Sequence, residues 1–171
     1  RGGRQPLSRQ APKAEKLRRV SARVIDGKAV AAAVREEVRA GVAEFHYLHH
    51  QPDGTPYDDI GELSARIAAA ASQTGIGLTL LPVLYEQAGC SGAPLGPGQV
   101  RFGNDIERFS QLLQRAEQSV ARLPPDARIG VAPHSLRAVS RSSLAAIGKL
   151  AKGRPLHMHI AEQGAEVEEV V

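Results

Sequence analysis

The sequence has no tryptophan, and aromatic residues make up only 4% of its 171 positions. Alanine, leucine, valine and isoleucine must therefore fill any interior, as they do in α/β folds. A single cysteine, Cys90, excludes an internal disulfide and fits a reducing, cytoplasmic setting. No secretory signal pattern is visible at the start, and a membrane span is equally absent. The longest uncharged run, Ile67 to Tyr85, is broken by Ser72, Gln73, Thr74, Gly75, Gly77 and Pro82. It reads as a helix end, a turn and a strand, so no membrane partner is expected.

Basic residues are also scarce outside one stretch. Seven of the 22 (Arg1, Arg4, Arg9, Lys13, Lys16, Arg18 and Arg19) stand in residues 1–20 against Glu15 alone, leaving 15 basic against 17 acidic in the remainder. The net charge of +4 therefore belongs to the leader and does not argue for a nucleic-acid-binding fold. An arginine-rich leader suits a transit peptide or a phosphate-binding arm. The simpler expectation is a disordered basic leader over 1–20.

With 42% hydrophobic residues the chain can form one domain with a core. Asp26-Gly27 can cap a helix from near Lys28, with Val30, Val34, Val38 and Val42 on one face and Gly41 at its end. A strand is expected over Val42 to Tyr47, and a turn over Gln51 to Pro56. The next helix is expected over Asp58 to Ser72, with Ile60, Leu63, Ile67 and Ala71 inward and Gly75 as its stop. Ile76 to Tyr85 reads as a buried parallel strand. The glycine- and proline-rich loop Gly89 to Gly98 is long enough to wall a binding site, but it lacks phosphate-loop spacing. Asn104 or Asp105 caps a third helix with Ile106, Phe109, Leu113, Ala116 and Val120 in its stripe, and Pro124-Pro125 breaks it. A strand over Arg128 to Pro133 leads to His134-Ser135-Leu136-Arg137. Ser140 caps a fourth helix, with Val139 on Leu144 as a staple and Leu144, Ile147 and Leu150 inward.

Residues 155–163, Pro-Leu-His-Met-His-Ile-Ala-Glu-Gln, read as a last buried strand. Alternation places His157 and His159 on one face and Met158 and Ile160 on the other, with Glu162 where the strand ends. Imidazole and carboxylate at the carboxyl end of a buried strand are the makings of a metal or acid/base site in α/β barrels. By spacing alone, two hydrogen-bonded core histidines are the commoner outcome. The residues by themselves read Arg137 as a surface arginine at a helix start and Tyr47 as an ordinary loop tyrosine. His46, His49 and His50 read as a polar loop after a strand. Strand and helix alternate throughout, which predicts an α/β sheet or part of a barrel.

Two resemblances sharpen this. Ala22-Arg23-Val24-Ile25-Asp26-Gly27-Lys28-Ala29-Val30-Ala31, with Arg35-Glu36-Glu37-Val38, resembles the amino terminus of the methylenetetrahydrofolate dehydrogenase/cyclohydrolase family. The match ends before that family's catalytic tyrosine and lysine, so no folate activity is expected of residues 21–41. Val20 stands where that family initiates, which a GTG start codon read through as valine would explain. Four further stretches occur in order: Val42-Ala43-Glu44-Phe45-His46-Tyr47-Leu48-His49-His50, Gly75 to Tyr85, His134-Ser135-Leu136-Arg137-Ala138-Val139 and His157-Met158-His159-Ile160-Ala161-Glu162-Gln163. Together, over residues 42–171, they resemble the formimidoylglutamate deiminase family of the amidohydrolase superfamily.

That resemblance implies hydrolysis of the formimino C–N bond of N-formimino-L-glutamate, a small-molecule substrate of histidine degradation. It implies His159 as a metal ligand on the fifth barrel strand and Glu162 as the carboxylate that carries protons to the leaving nitrogen. It implies Tyr47, His134 and Arg137 as substrate-binding residues, and leaves His157 as a core or supporting histidine. The implied cofactor is one divalent metal, zinc with iron or manganese as alternatives. Zinc suits the chemistry because it brings the pKa of bound water to about 7. A substrate with two carboxylates suits the bidentate fork of an arginine.

The family's first-strand His-x-His pair and later histidine and aspartate have no counterparts here, and a full barrel takes about 250 residues. The expected fold is therefore a partial TIM-type (β/α) barrel, about strands two to five. Open sheet edges are surfaces for self-association. One histidine is expected to hold metal weakly or not at all, and the fragment is expected to lack deiminase activity. The alternatives are an enzyme completed by another chain, a non-catalytic interaction fragment, or a misassembled fusion.

Overall fold

The computed structural model describes residues 43–46, 48–162 and 164–170. The basic leader, the helix expected in residues 21–41 and Tyr47 lie outside the described residues. A parallel sheet forms the centre. Strand β1 (Ala43–His46) pairs with β2 (Thr79–Leu84) in the register Ala43↔Thr79 to His46↔Pro82. On its other side β2 pairs in parallel with β3 (Arg128–Ile129) and then β4 (Ala132–Pro133). Leu80, Leu81, Val83 and Leu84 are fully buried, as expected of a strand covered on both faces.

The expected continuous strand over Arg128 to Pro133 is split in two, and Pro82 supplies the reason. The carbonyls of Leu80 and Leu84 accept from Gly130 and His134. Between them in that alternating series stands Pro82, which has no N–H to give to the third strand. The ladder opens opposite it, at Gly130 and Val131. Val131 turns its bonds the other way, donating to the Pro155 carbonyl and accepting from the His157 amide.

The segment reached in this way corrects a second expectation. Residues 155–160 are not a buried strand but an edge held by two isolated parallel bridges, Val131↔Leu156 and Ser135↔His159. Leu156 is 46% and Ile160 68% exposed, because no further strand or helix among the described residues covers that side.

Three helices pack along the sheet in sequence order. Helix α1 (Glu62–Thr74) begins four residues later than expected, because the Asp59 carboxylate accepts from the Gly61 amide and holds residues 59–61 in a turn. Asp59 also pairs with Arg115 of helix α2 (Ile106–Val120). Gly75 ends α1 in the left-handed region, φ +70°, where a side chain would be strained. Asp105 caps α2 by accepting from the Arg108 amide at 2.7 Å, and Ser140 caps α3 (Arg141–Leu150) by accepting from Ser143. Phe109, Leu112 and Leu113 of α2 form one cluster with Leu84, Val131, Val139 and Ile147, against which Leu144 and Leu150 also pack. Ala116 and Val120 form a second cluster with Ala71, Leu78 and Leu80. A short helix, α4 (Gly164–Val170), ends the described chain. No helix among the described residues is long and apolar enough to cross a membrane.

Candidate active site

All paired strands run in parallel, so their carboxyl ends open on one side of the sheet. β2 delivers Tyr85 there, β4 delivers His134, and the edge segment delivers His159 and Glu162. The rings stack edge to face in a row. Phe102 lies 4.9 Å from Tyr85, Tyr85 lies 4.6 Å from His134, and His134 lies 4.9 Å from His159. The Tyr85 hydroxyl accepts from the Gln99 side chain at 3.0 Å. The His159 amide donates to the His134 carbonyl at 2.9 Å, which locks the two histidines in register.

His134 is half-buried, with Nδ1 3.1 Å from the Ser135 hydroxyl. Burial pushes its pKa down from 6.5 to about 4, and the neighbouring His159 and Arg137 push the same way, against Glu162. The ring is therefore neutral at physiological pH, able to give or take one hydrogen bond at each nitrogen according to tautomer.

Arg137 and Glu162, expected to serve substrate and proton separately, pair with each other. The Arg137 Nη2 donates to Glu162 Oε2 at 2.7 Å. That bond, aided by the Arg137 charge, holds the Glu162 carboxyl below its ordinary range. At neutral pH Glu162 is thus an ionised proton acceptor, still 42% exposed at the site mouth. Ala161, between the two candidate residues, sits at φ +54°, a left-handed conformation unusual for alanine and typical of constrained functional turns.

The Gly89 to Gly98 loop does form a wall, though not around the histidines. Cys90 and Ser91 line a cavity of about 470 Å³ with Leu136, Ser140, Arg141 and Glu169. Burial and the Glu169 carboxylate push the Cys90 thiol up, which makes it a poor nucleophile. Among the described residues no three histidine, cysteine, aspartate or glutamate side chains gather as a metal site. His134 and His159 stack on each other, and the Glu162 carboxylate is committed to Arg137. They do not fit a divalent metal as a complete ligand set.

His49 and His50 correct a third expectation. They are not a polar loop but are fully buried. His49 Nε2 donates to the Val83 carbonyl at 2.9 Å, and His50 Nε2 to the Gly103 carbonyl at 3.0 Å, since a carbonyl can only accept. Both backbone amides donate to the Arg101 carbonyl. They fasten the segment after β1 to β2 and to the 3₁₀ turn Val100–Phe102. No spacing in the sequence distinguishes that role from solvent exposure. Glu166, a buried carboxylate beside Arg137, also gave no sequence signal.

Comparison with known proteins adds to this geometry. Formimidoylglutamate deiminase of Pseudomonas aeruginosa is 50% identical over 143 residues, covering 78% of this chain and 30% of its own length. The crystal structure of an amidohydrolase from Brucella melitensis superposes with a TM-score of 0.72 at 47% identity, over 84% of this chain and 33% of that one. The Bifunctional protein FolD of Sorangium cellulosum is 41% identical over 54 residues, 32% of this chain and 19% of its own. No family model matches the chain. The chain spans about a third of the length of the deiminase and of the amidohydrolase. By sequence and by fold, this chain is a relative of formimidoylglutamate deiminase and carries part of an α/β amidohydrolase fold.

Proposed function

We propose that the chain is part of a metal-dependent hydrolase acting on the formimino C–N bond of N-formimino-L-glutamate, with its strands corresponding to about the second to fifth of a (β/α) barrel. The observation that carries the reading is the meeting of His134, Arg137, His159 and Glu162 at one end of a parallel sheet, in a chain 50% identical to a deiminase over 143 residues. Their roles follow from their chemistry. The Arg137 guanidinium binds a substrate carboxylate in place of Glu162, a charge-assisted exchange of one carboxylate for another. His134, neutral and fixed between two rings, supplies a directional hydrogen bond to the substrate, and Tyr47 contributes a further contact. Glu162, ionised at neutral pH, takes a proton and passes it to the leaving nitrogen.

His159 would be the residue of this chain that holds the metal. One imidazole does not complete a tetrahedral site that takes three or four protein ligands, so the residues above act on substrate and proton alone. It follows that the isolated chain retains well under one equivalent of zinc, iron or manganese after dialysis, and releases no ammonia from N-formimino-L-glutamate. The test is complementation with a polypeptide carrying the unmatched remainder of the Pseudomonas aeruginosa relative. Ammonia release only in the mixture supports the reading. Sustained release by the chain alone contradicts its incompleteness, and none from a folded mixture contradicts the deiminase assignment.

A further inference from the structure

We propose that Glu166 is a positioning residue of this site, whose buried carboxylate holds Arg137 and the Glu162 backbone and leaves one edge of the Arg137 fork for an incoming carboxylate. The proposal rests on the reading of Arg137 as substrate anchor and Glu162 as proton carrier, and extends it to a residue on a different element, α4.

Glu166 is 3% exposed, and a carboxylate that far from water persists only where a charge or donor compensates it. Its Oε2 accepts from the Glu162 amide at 3.1 Å and stands 3.9 Å from Arg137 Nε. Oε1 and Arg137 Nε are both buried without a hydrogen bond, so the two groups face one another as an ion pair rather than as a satisfied network. The guanidinium thus lies between two carboxylates of unequal standing. Glu166 is buried and fixed, whereas Glu162 is 42% exposed and reaches the Nη2 end from the solvent side. A dicarboxylic substrate competes only with the exposed partner. When it takes Nη2, Arg137 stays oriented by Glu166. Glu162 loses its side-chain bond yet keeps its backbone tied to the same Glu166 oxygen. The left-handed Ala161 is the turn that brings that amide round to Glu166. One buried carboxylate therefore sets both the anchor and the place from which the proton carrier works.

The competing explanation is that Glu166, in the first turn of α4, merely caps that helix by reaching back to a preceding amide. A cap is served as well by glutamine as by glutamate, and it makes no demand on Arg137. The test is nitrogen-15 NMR of the chain, reading hydrogen exchange at Arg137 Nε and at the Glu162 amide, with the exposed Arg122 as reference. In the wild type, Arg137 Nε–H exchanges at least tenfold more slowly than Arg122 Nε–H. In Glu166→Gln the Glu162 amide keeps its protection while Arg137 Nε–H speeds up to the Arg122 rate. An unchanged Arg137 signal in that variant overturns the proposal and leaves Glu166 a cap. Glu162→Gln, at an exposed position, provides the second arm. Arg137 Nε–H stays slow there if Glu166 holds it, and a loss of protection overturns the proposal. Glutarate is the probe for the underlying reading. If it moves no Arg137 signal in the wild type while the exchange results hold, the anchor role fails and the positioning by Glu166 stands.

Discussion

His134 is placed edge-on between Tyr85 and His159, and that placement decides its charge. Its folded pKa lies near 4, below the ordinary 6.5, so between those values the unfolded chain binds more protons than the folded one. The stability it contributes is full above the upper value and is lost as pH falls through the window. In His134→Asn the fall in unfolding free energy between neutral and mildly acidic pH becomes shallower than in the wild type, as denaturant titration at the two pH values will show. His134, Arg137, His159 and Glu162 were legible as candidates through the resemblance to the deiminase family, since the residues by themselves read Arg137 as a surface arginine. The pairing of Arg137 with Glu162, and the burial of Glu166 beside them, were not. Both depend on how α4 returns to the sheet, which no local pattern encodes. The buried His49 and His50 escaped for a related reason, since their acceptors lie on Val83 and Gly103, far along the chain.

Among the elements, Gly130 carries the most demanding position. A Cβ there would lie 2.4 Å from a Leu81 methyl and 2.5 Å from the Pro155 carbonyl oxygen, and the second is backbone that cannot rotate aside. Gly130→Ala should cost about 1–3 kcal/mol by overpacking. It should also speed amide exchange at Val131 and His157, whose bonds join the edge segment to the sheet. Exchange unchanged at both would show that the edge does not depend on this close approach. The helices were easier to foresee than the strands. The stripe of α2, its Asp105 cap, the Ser140 cap of α3 and the Gly75 stop all rest on local chemistry and are found where expected. The break opposite Pro82 and the exposure of residues 155–160 arise between strands, where a single sequence is silent.

For the molecule as a whole, the edge segment leaves Leu156 and Ile160 in water, and Val167 and Val170 of α4 are exposed with Ile160 at one side of it. Unprotected apolar edges promote association, so a second copy of the chain is the expected occupant in isolation. Sedimentation should show concentration-dependent association of the wild type and a shift toward monomer in the Leu156→Lys, Ile160→Lys double variant. Equal profiles would remove the edge from consideration. If one end of the sheet binds a formimino dicarboxylic acid, as proposed, an NMR titration of the chain with N-formimino-L-glutamate will show it. The expected result is saturable shifts confined to His134, Arg137, His159, Glu162 and their neighbours, abolished in Arg137→Met. Shifts centred elsewhere, or none at millimolar ligand, would contradict it.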